Sequence, residues 1–193
     1  MRAVLIRHGQ TAGNVLGRYI GRTDEPLSEQ GRAAARAAGT DPAVRQVYVS
    51  PLRRTGETAA ILFPCARQIV VPDLREMDFG VFEGRSASEM EHDAVYRAWV
   101  EGNCLAPCPG GEAKSEFQRR TVTAFSRALR DARIQGIETA VFVVHGGVIM
   151  SVLEALAVPK REFYQWHVPN LEGWTAQASM VSDRWVLRCP RQL

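Results

Sequence analysis

Short apolar runs alternate along this chain with segments of helical periodicity, and that alternation restricts the possible folds more than any other feature. Two further runs near the C-terminus, 174–181 and 184–189, have the pattern of strands joined by a short turn. Strands that alternate with helices predict an α/β fold. We therefore expect a three-layer α/β/α architecture with a mostly parallel, doubly covered central sheet. The four runs typical of its buried strands are 3–6, 46–50, 68–72 and 139–144.

Capping residues predict where several helices begin and end. Ser28 is a typical N-cap, and Gly39 marks the end of the helix that it starts. A second helix is predicted to begin at Ser50, with Pro51 at its first helical position.

Composition limits the classes of protein to which the chain can belong. It has 193 residues, 46% of them hydrophobic, which is enough for one core, so we expect a single domain over 1–193. The net charge of +3 suits an anionic small molecule, and no basic run indicates nucleic acid. The apolar segment 148–158 is interrupted by Glu154 and is too short to span a membrane. No export signal precedes Arg7, so a cytoplasmic location is expected.

The cysteines do not form the pattern of a metal site. Cys104 and Cys108 have the spacing C-x3-C, but no second pair accompanies them, so zinc is not predicted. Reduced thiols, including Cys65 and Cys189, agree with a cytoplasmic location.

Two histidines stand where apolar runs end. In parallel sheets, ligands bind at the carboxyl ends of the strands. Arg7 and His8 follow the first run, and His145 follows the run 139–144. Each histidine precedes a glycine, which allows close approach of the backbone to a ligand. A helix is predicted to begin at Gly146, and its free N–H groups would form an anion site.

Further charged residues follow the other runs. Arg53 lies four residues before Glu57, so the two can pair on the surface, whereas Arg54 falls on another helix face and is expected to point inward. Glu76 follows the run 68–72 and is a candidate general acid. The same residues leave a second reading open, in which His8, His145 and Glu76 form a two-histidine, one-carboxylate metal site.

Six segments, in order along nearly the whole chain, resemble the motifs of the histidine phosphatase superfamily, the phosphoglycerate-mutase-like proteins. Two positions depart from the family pattern: Phe82 replaces a tryptophan, and Met150 stands where relatives often have arginine. Met150 falls inside a predicted helix, so we expect a change in packing there. The segments are LIRHGQTAGN, GRYIGRTDEPLSEQG, SPLRRTGETA, EMDFGVFEG, PGGE and VVHGGVI.

The resemblance implies a phosphoglycerate-mutase-like fold and a role for each matching residue. His8 would attack phosphorus and become a phosphohistidine, and Glu76 would act as the acid. Gly21 would lie in the substrate pocket. A neutral imidazole can act as a nucleophile. Phosphoryl transfer needs positive charge near the phosphate, which the arginines would supply in place of Mg²⁺, so no metal or cofactor is expected. The residues expected to bind phosphate are Arg7, Asn14, Arg54, His145 and Gly146.

The implied function is a phosphatase for a small phosphorylated metabolite. A mutase is the main alternative, but the segment between the Glu76 motif and His145 is compact, which favours hydrolysis. A further alternative is a relative that binds phosphate without catalysis. Every expected catalytic residue is present in the chain, which argues against that alternative. The stretch FYQWHVPNLEGWT resembles α-ribazole-phosphatase-like members, while a broad-specificity sugar or nucleotide phosphatase stays open. Nothing in the sequence supports an oligomer.

Overall fold

A mixed sheet of seven strands forms the centre of the computed structural model, which describes all residues 1–193. The strand order is β3-β2-β4-β1-β6-β7-β5. Four pairs of neighbours are parallel, and only β1/β6 and β6/β7 are antiparallel, so the predicted mostly parallel sheet is confirmed. The strands are β1 (Arg2–Arg7), β2 (Gln46–Val49), β3 (Arg67–Val70), β4 (Thr139–Val144), β5 (Ala157–Val158), β6 (Gly173–Val181) and β7 (Arg184–Gln192).

Six α-helices and four short 3-10 helices connect the strands. None of the helices combines the length and the apolar character needed to cross a bilayer. The α-helices are α1 (Ala12–Val15), α2 (Glu29–Ala37), α3 (Arg53–Leu62), α4 (Ala94–Glu101), α5 (Lys114–Ile134) and α6 (Gly146–Leu156), and the 3-10 helices are Pro72–Leu74, Gly80–Phe82, Ser88–Met90 and Phe163–Trp166.

Side chains of the central strand β4 show that both faces of the sheet are covered. Phe142 and Val144 belong to the larger core, in which the ring of Phe125 on α5 lies 4.6 Å from that of Phe142. Val141 and Val143 belong to a second core that includes residues of α3. Successive residues of a strand point to opposite faces, so β4 lies buried between two helical layers, as the three-layer prediction requires.

The N-terminus of α3 differs from the prediction. The helix begins at Arg53 rather than at Pro51, while Ser28 caps α2 as expected, with its side chain accepting from the amide of Gly31. The hydroxyl of Ser50 accepts a hydrogen bond from the Leu52 amide and bonds the ring of His145. This local turn replaces the first helical turn, because serine side chains compete with helical backbone pairing.

The pairing of β1 with β4 brings the two strand-end histidines together. The strands are parallel and in register, with Arg7 opposite Val144. The amide of His8 donates to the Val144 carbonyl at 2.9 Å. His8 and His145 directly follow these two strands, so both lie at the same edge of the sheet.

Candidate active site

A cavity of about 270 Å³ lies at the carboxyl ends of the parallel strands. Arg7, His8, Asn14, Glu76 and Gly146 line one part of it, which we call the inner end. The rest of the lining, which we call the outer end, consists mainly of aromatic and other apolar side chains. Arg54 and His145, which were also expected to bind phosphate, are fully buried and are not among the lining residues. The cavity therefore has a region suited to an anion and a separate region suited to an organic group.

His8 lies at the inner end, and its ring is fixed in one tautomer. The side chain is 4% exposed, and Nδ1 lies 2.7 Å from the carbonyl oxygen of Gly9. A carbonyl oxygen can only accept, so Nδ1 carries the proton and Nε2 keeps its lone pair. Burial, aided by the charges of Arg54 and Arg7, lowers the pKa of His8 to about 3. His8 is therefore neutral near pH 7, with one nitrogen available as a nucleophile.

His145 is fully buried beside His8, with ring centroids 5.1 Å apart. Its Nδ1 accepts from Nε of Arg54 at 3.3 Å, so Nε2 carries the proton and donates to the Ser50 hydroxyl at 2.7 Å. Burial, together with the charges of Arg54 and other neighbours, holds the pKa of His145 well below its ordinary value. Ser50, which the sequence analysis did not assign to the site, thus sets the orientation of this ring.

Arg54 is buried, as its helical position predicted, and has no carboxylate partner. Its guanidinium donates to the carbonyl oxygens of Ile20, Gly21 and Thr23 at 3.2, 3.0 and 2.7 Å. Burial lowers the pKa of Arg54, but a guanidinium remains charged in proteins. The charges of nearby carboxylates, the largest effect being that of Glu76, offset part of the effect of burial, but none forms an ion pair with Arg54. A buried cation without a paired carboxylate favours the binding of an anion.

Arg7 contributes a second cation to the inner end. One of its terminal nitrogens donates to the carbonyl of Val168 at 2.8 Å and lies 3.4 Å from Nε2 of His167 at the cavity rim. Its Nε is buried and has no hydrogen-bond partner. A buried donor without a partner is costly, so the geometry of Arg7 is suited to an incoming oxyanion.

Asn14 is oriented by two neighbours so that its amide group can donate. Its Oδ1 accepts from the Thr11 amide and from the side chain of Asn170, both at 3.2 Å. The NH₂ group is then the part of Asn14 left for the cavity, which this residue lines. Asn170 also donates to the His8 carbonyl at 2.8 Å. Asn170 was not among the site residues predicted from the sequence, although it lies within the stretch FYQWHVPNLEGWT.

Glu76 reaches the inner end because residue 147 is a glycine. Its carboxylate accepts from the amides of Met77 at 2.9 Å and Gly147 at 3.0 Å. A Cβ atom at position 147 would collide with this carboxylate. Burial raises the pKa of Glu76, while the two amides and the nearby arginines oppose that shift without cancelling it.

Gly146 and Gly21 occupy different surroundings. Gly146 lines the cavity at the first position of α6, where amides have no intrahelical partner. Gly21, expected in the substrate pocket, is not among the residues that line the cavity, and its place in that pocket stays a prediction. Its carbonyl accepts from Arg54, its amide donates to Glu83, and a Cβ there would collide with the carbonyl of Met77. Gly21 is thus required for close backbone packing behind Arg54.

Two of the three candidate metal ligands, His145 and Glu76, already have protein hydrogen-bond partners, whereas Nε2 of His8 has none. Both nitrogens of His145 and both oxygens of Glu76 have protein partners, and the Arg54 cation lies against the His145 ring. No group of three or more histidine, cysteine, aspartate or glutamate side chains is arranged to hold a metal ion. The geometry therefore favours an anion site over the two-histidine, one-carboxylate alternative.

Aromatic rings form most of the outer cavity, and the polar atoms of two of them are already satisfied. The hydroxyl of Tyr19 bonds that of Tyr96 at 2.9 Å, and the indole nitrogen of Trp99 donates to the carbonyl of Ala106 at 3.0 Å. These side chains therefore present mainly apolar ring surface. The other aromatic residues in the lining are Phe79, Phe117, Phe163 and Tyr164.

The two departures from the family motifs have structural counterparts. Phe82 is fully buried, and its ring packs against those of Tyr96 and Trp99 at 5.4 and 5.2 Å. Met150 lies within α6, as expected, and also lines the cavity. Both substitutions thus bear on the apolar outer end rather than on the inner, charged end.

Comparisons with known proteins agree with this geometry. The family model of the histidine phosphatase superfamily (branch 1) matches residues 3–188. The adenosylcobalamin/alpha-ribazole phosphatase of Salmonella typhimurium is 31% identical over 185 residues, covering 91% of this chain and 89% of that protein. The metal-independent phosphoserine phosphatase of Arabidopsis thaliana is 31% identical, covering 77% and 66%. The structure of the alpha-ribazole phosphatase from Shigella flexneri superposes with a TM-score of 0.80 at 25% identity, covering 97% and 95%.

Proposed function

The chain belongs to the histidine phosphatase superfamily and is a phosphatase for small phosphorylated metabolites, and from that premise we propose that it hydrolyses phosphomonoesters through a phosphohistidine on His8. The observation that carries the proposal is the hydrogen bond from His8 Nδ1 to the Gly9 carbonyl. It leaves a lone pair on Nε2 beside two arginines that have no carboxylate partner.

The first step transfers the phosphoryl group to the enzyme. His8 Nε2 forms a bond to phosphorus while the bond from phosphorus to the ester oxygen breaks. Arg7, Arg54 and the amide group of Asn14 stabilise the three other phosphate oxygens by charge-assisted or neutral hydrogen bonds. Glu76 gives its proton to the departing oxygen, so the alcohol leaves neutral. The raised pKa of Glu76 keeps a larger fraction of it protonated than an exposed glutamate would have.

The second step regenerates the enzyme. Water attacks the phosphohistidine, and the Glu76 carboxylate, now ionised, accepts a proton from it. The bond from His8 Nε2 to phosphorus breaks, and inorganic phosphate is released.

We propose α-ribazole 5′-phosphate as the substrate. It places a planar aromatic base beyond the phosphate, where the cavity offers the ring surfaces of Tyr19, Trp99 and their neighbours. Glu76 is the only carboxylate in the lining, so the ammonium group of phosphoserine would lack an outer partner. A sugar would place its hydroxyl groups against these rings and leave Arg18, Lys114 and His167 as the cationic or imidazole partners in the lining. A cytoplasmic location stays a prediction from the sequence.

Kinetics with a panel of phosphomonoesters tests the substrate. We expect kcat/KM for α-ribazole 5′-phosphate to exceed that for phosphoserine and glucose 6-phosphate by about tenfold or more, since tenfold corresponds to about 1.4 kcal/mol of differential binding. Tyr164→Leu, which changes an exposed lining residue, should reduce this preference and leave phosphoserine turnover unchanged. Equal rates across the panel would contradict the α-ribazole proposal and leave the phosphatase intact.

Treatment with a strong chelator tests the absence of a metal from the mechanism. Activity should survive prolonged incubation with EDTA followed by gel filtration, because arginines supply the positive charge that Mg²⁺ supplies in other phosphoryl-transfer enzymes. The measurement is kcat/KM before and after treatment. Activity that disappears and returns on addition of zinc or manganese would support the metal-site alternative instead.

A further inference from the structure

Arg120, on α5, joins three points of the loop that carries Glu76. Its guanidinium donates to the backbone carbonyls of Asp73, Arg75 and Glu76 at 2.8, 2.9 and 2.9 Å. The same group makes two parallel bonds to the carboxylate of Glu112, at 2.6 and 2.7 Å. These contacts satisfy all five N–H donors of the guanidinium. No donor of Arg120 is left for a substrate, so it can act on the reaction only through other residues.

A few backbone hydrogen bonds also fix this loop: the Arg75 amide donates to the Pro72 carbonyl, and the Asp78 carbonyl accepts from the Glu112 amide at 2.9 Å. Residues 75–79 belong to no helix or strand, so they lack the regular hydrogen bonds of such elements. Glu112 also accepts from the amide of Asp78 at 3.0 Å, which attaches the other side of the loop to the same ion pair. The side chains of Arg120 and Glu112 are only 13% and 17% exposed, so solvent screens this pair less than a surface pair.

Glu112 is ionised, as an ion pair with Arg120 requires. Burial alone would raise its pKa, but the bonds from Arg120 and from the Asp78 amide more than offset burial, and the pKa lies below its ordinary value. The carboxylate is therefore ionised near pH 7 and holds the guanidinium in the orientation that reaches the loop carbonyls.

We propose that Arg120, oriented by Glu112, is a positioning residue that holds the Glu76 backbone so that the Glu76 carboxylate reaches the leaving-group oxygen. The inference rests on the proposed role of Glu76 as the general acid. Small displacements of a catalytic group reduce rates strongly, because proton transfer requires hydrogen-bond distance. We call the contacts of Arg120 with this loop and with Glu112 the clamp. Loss of the clamp should therefore impair protonation of the leaving group and spare the attack by His8.

The test compares two substrates in the Arg120→Lys variant. Lysine keeps the charge but cannot make five bonds in a planar fork. We expect kcat/KM for an alkyl phosphate, such as glycerol 3-phosphate, to fall about 10- to 100-fold. That for p-nitrophenyl phosphate should fall by less than about threefold, because its phenolate leaves without a proton. The ratio of the two losses cancels any change in the fraction of folded enzyme.

The control is Arg119→Lys, the same substitution one residue earlier in α5 at an exposed position, which should leave both rates unchanged. Glu112→Gln should also lower kcat/KM for the alkyl phosphate more than that for p-nitrophenyl phosphate, but by a smaller factor than Arg120→Lys.

In an enzyme that already carries Glu76→Gln, Arg120→Lys should lower kcat/KM for the alkyl phosphate by less than about a further threefold. Both changes remove the same step, protonation of the leaving group. Equal losses on both substrates, or full additivity, would overturn the clamp. If Glu76→Gln itself shows no dependence on the leaving group, the acid assignment fails first and the clamp fails with it.

Discussion

His8→Ala should abolish turnover, with kcat reduced by about 10⁴-fold or more, as expected when a nucleophile is removed from a covalent mechanism. Folding should persist. The His8 amide still pairs with the Val144 carbonyl, and the Gly9 amide still donates to the Thr58 hydroxyl at 2.9 Å. Steady-state kinetics and a thermal unfolding curve measure the two effects.

A labelling experiment makes the prediction specific to the nucleophile. Wild-type enzyme mixed with ³²P-labelled substrate and quenched without acid should carry label on the peptide that contains His8, because phosphohistidine is labile in acid. His92 is exposed and its Nε2 lies 3.3 Å from the carboxylate of its neighbour Glu91, so His92→Ala should keep both turnover and label. Near-normal turnover in His8→Ala would refute the proposed mechanism.

Glu76→Gln should lower kcat/KM for alkyl phosphates by about 10²- to 10⁴-fold, the usual contribution of a positioned general acid. An alkoxide leaves phosphorus slowly unless a proton reaches its oxygen, whereas p-nitrophenolate needs none. The loss on p-nitrophenyl phosphate should therefore be much smaller. Glutamine also places an NH₂ group against the amide of Met77 or Gly147, so some loss on both substrates is expected from misplacement. The measurement is the ratio of the two losses, expressed as free energies.

The pH dependence of kcat/KM provides a second test of Glu76 as the general acid. An acid catalyst works only while protonated, so kcat/KM for the alkyl phosphate should decline as pH rises through the raised pKa of Glu76. The p-nitrophenyl phosphate profile should lack that decline. Glu29→Gln, at an exposed position on α2, is a matched control that should alter neither profile. Equal losses on both substrates would show that Glu76 binds or orients the phosphate and does not protonate the leaving group.

Local pattern was sufficient to predict the architecture and which residues stand at the strand ends. Apolar runs with strand periodicity predicted β1, β2 and β4 to within about a residue at each end. The rule that ligands bind at the carboxyl ends of parallel strands directed attention to His8 and His145. Helical geometry separated Arg54, which is buried, from Arg53, which pairs with Glu57 at 3.4 Å on the surface.

Only the tertiary structure determined the tautomers, orientations and positions of these side chains. The tautomer of His145 depends on Ser50, 95 residues away, and the orientation of Asn14 depends on Asn170, 156 residues away. The close packing at Gly21 depends on Met77, whose carbonyl faces the Cβ position of Gly21. The clamp on Glu76 requires Arg120, 44 residues further along the chain. Periodicity and capping report contacts within a few residues, whereas hydrogen bonds between distant segments exist only once the packed sheet and helices bring those segments within 3 Å.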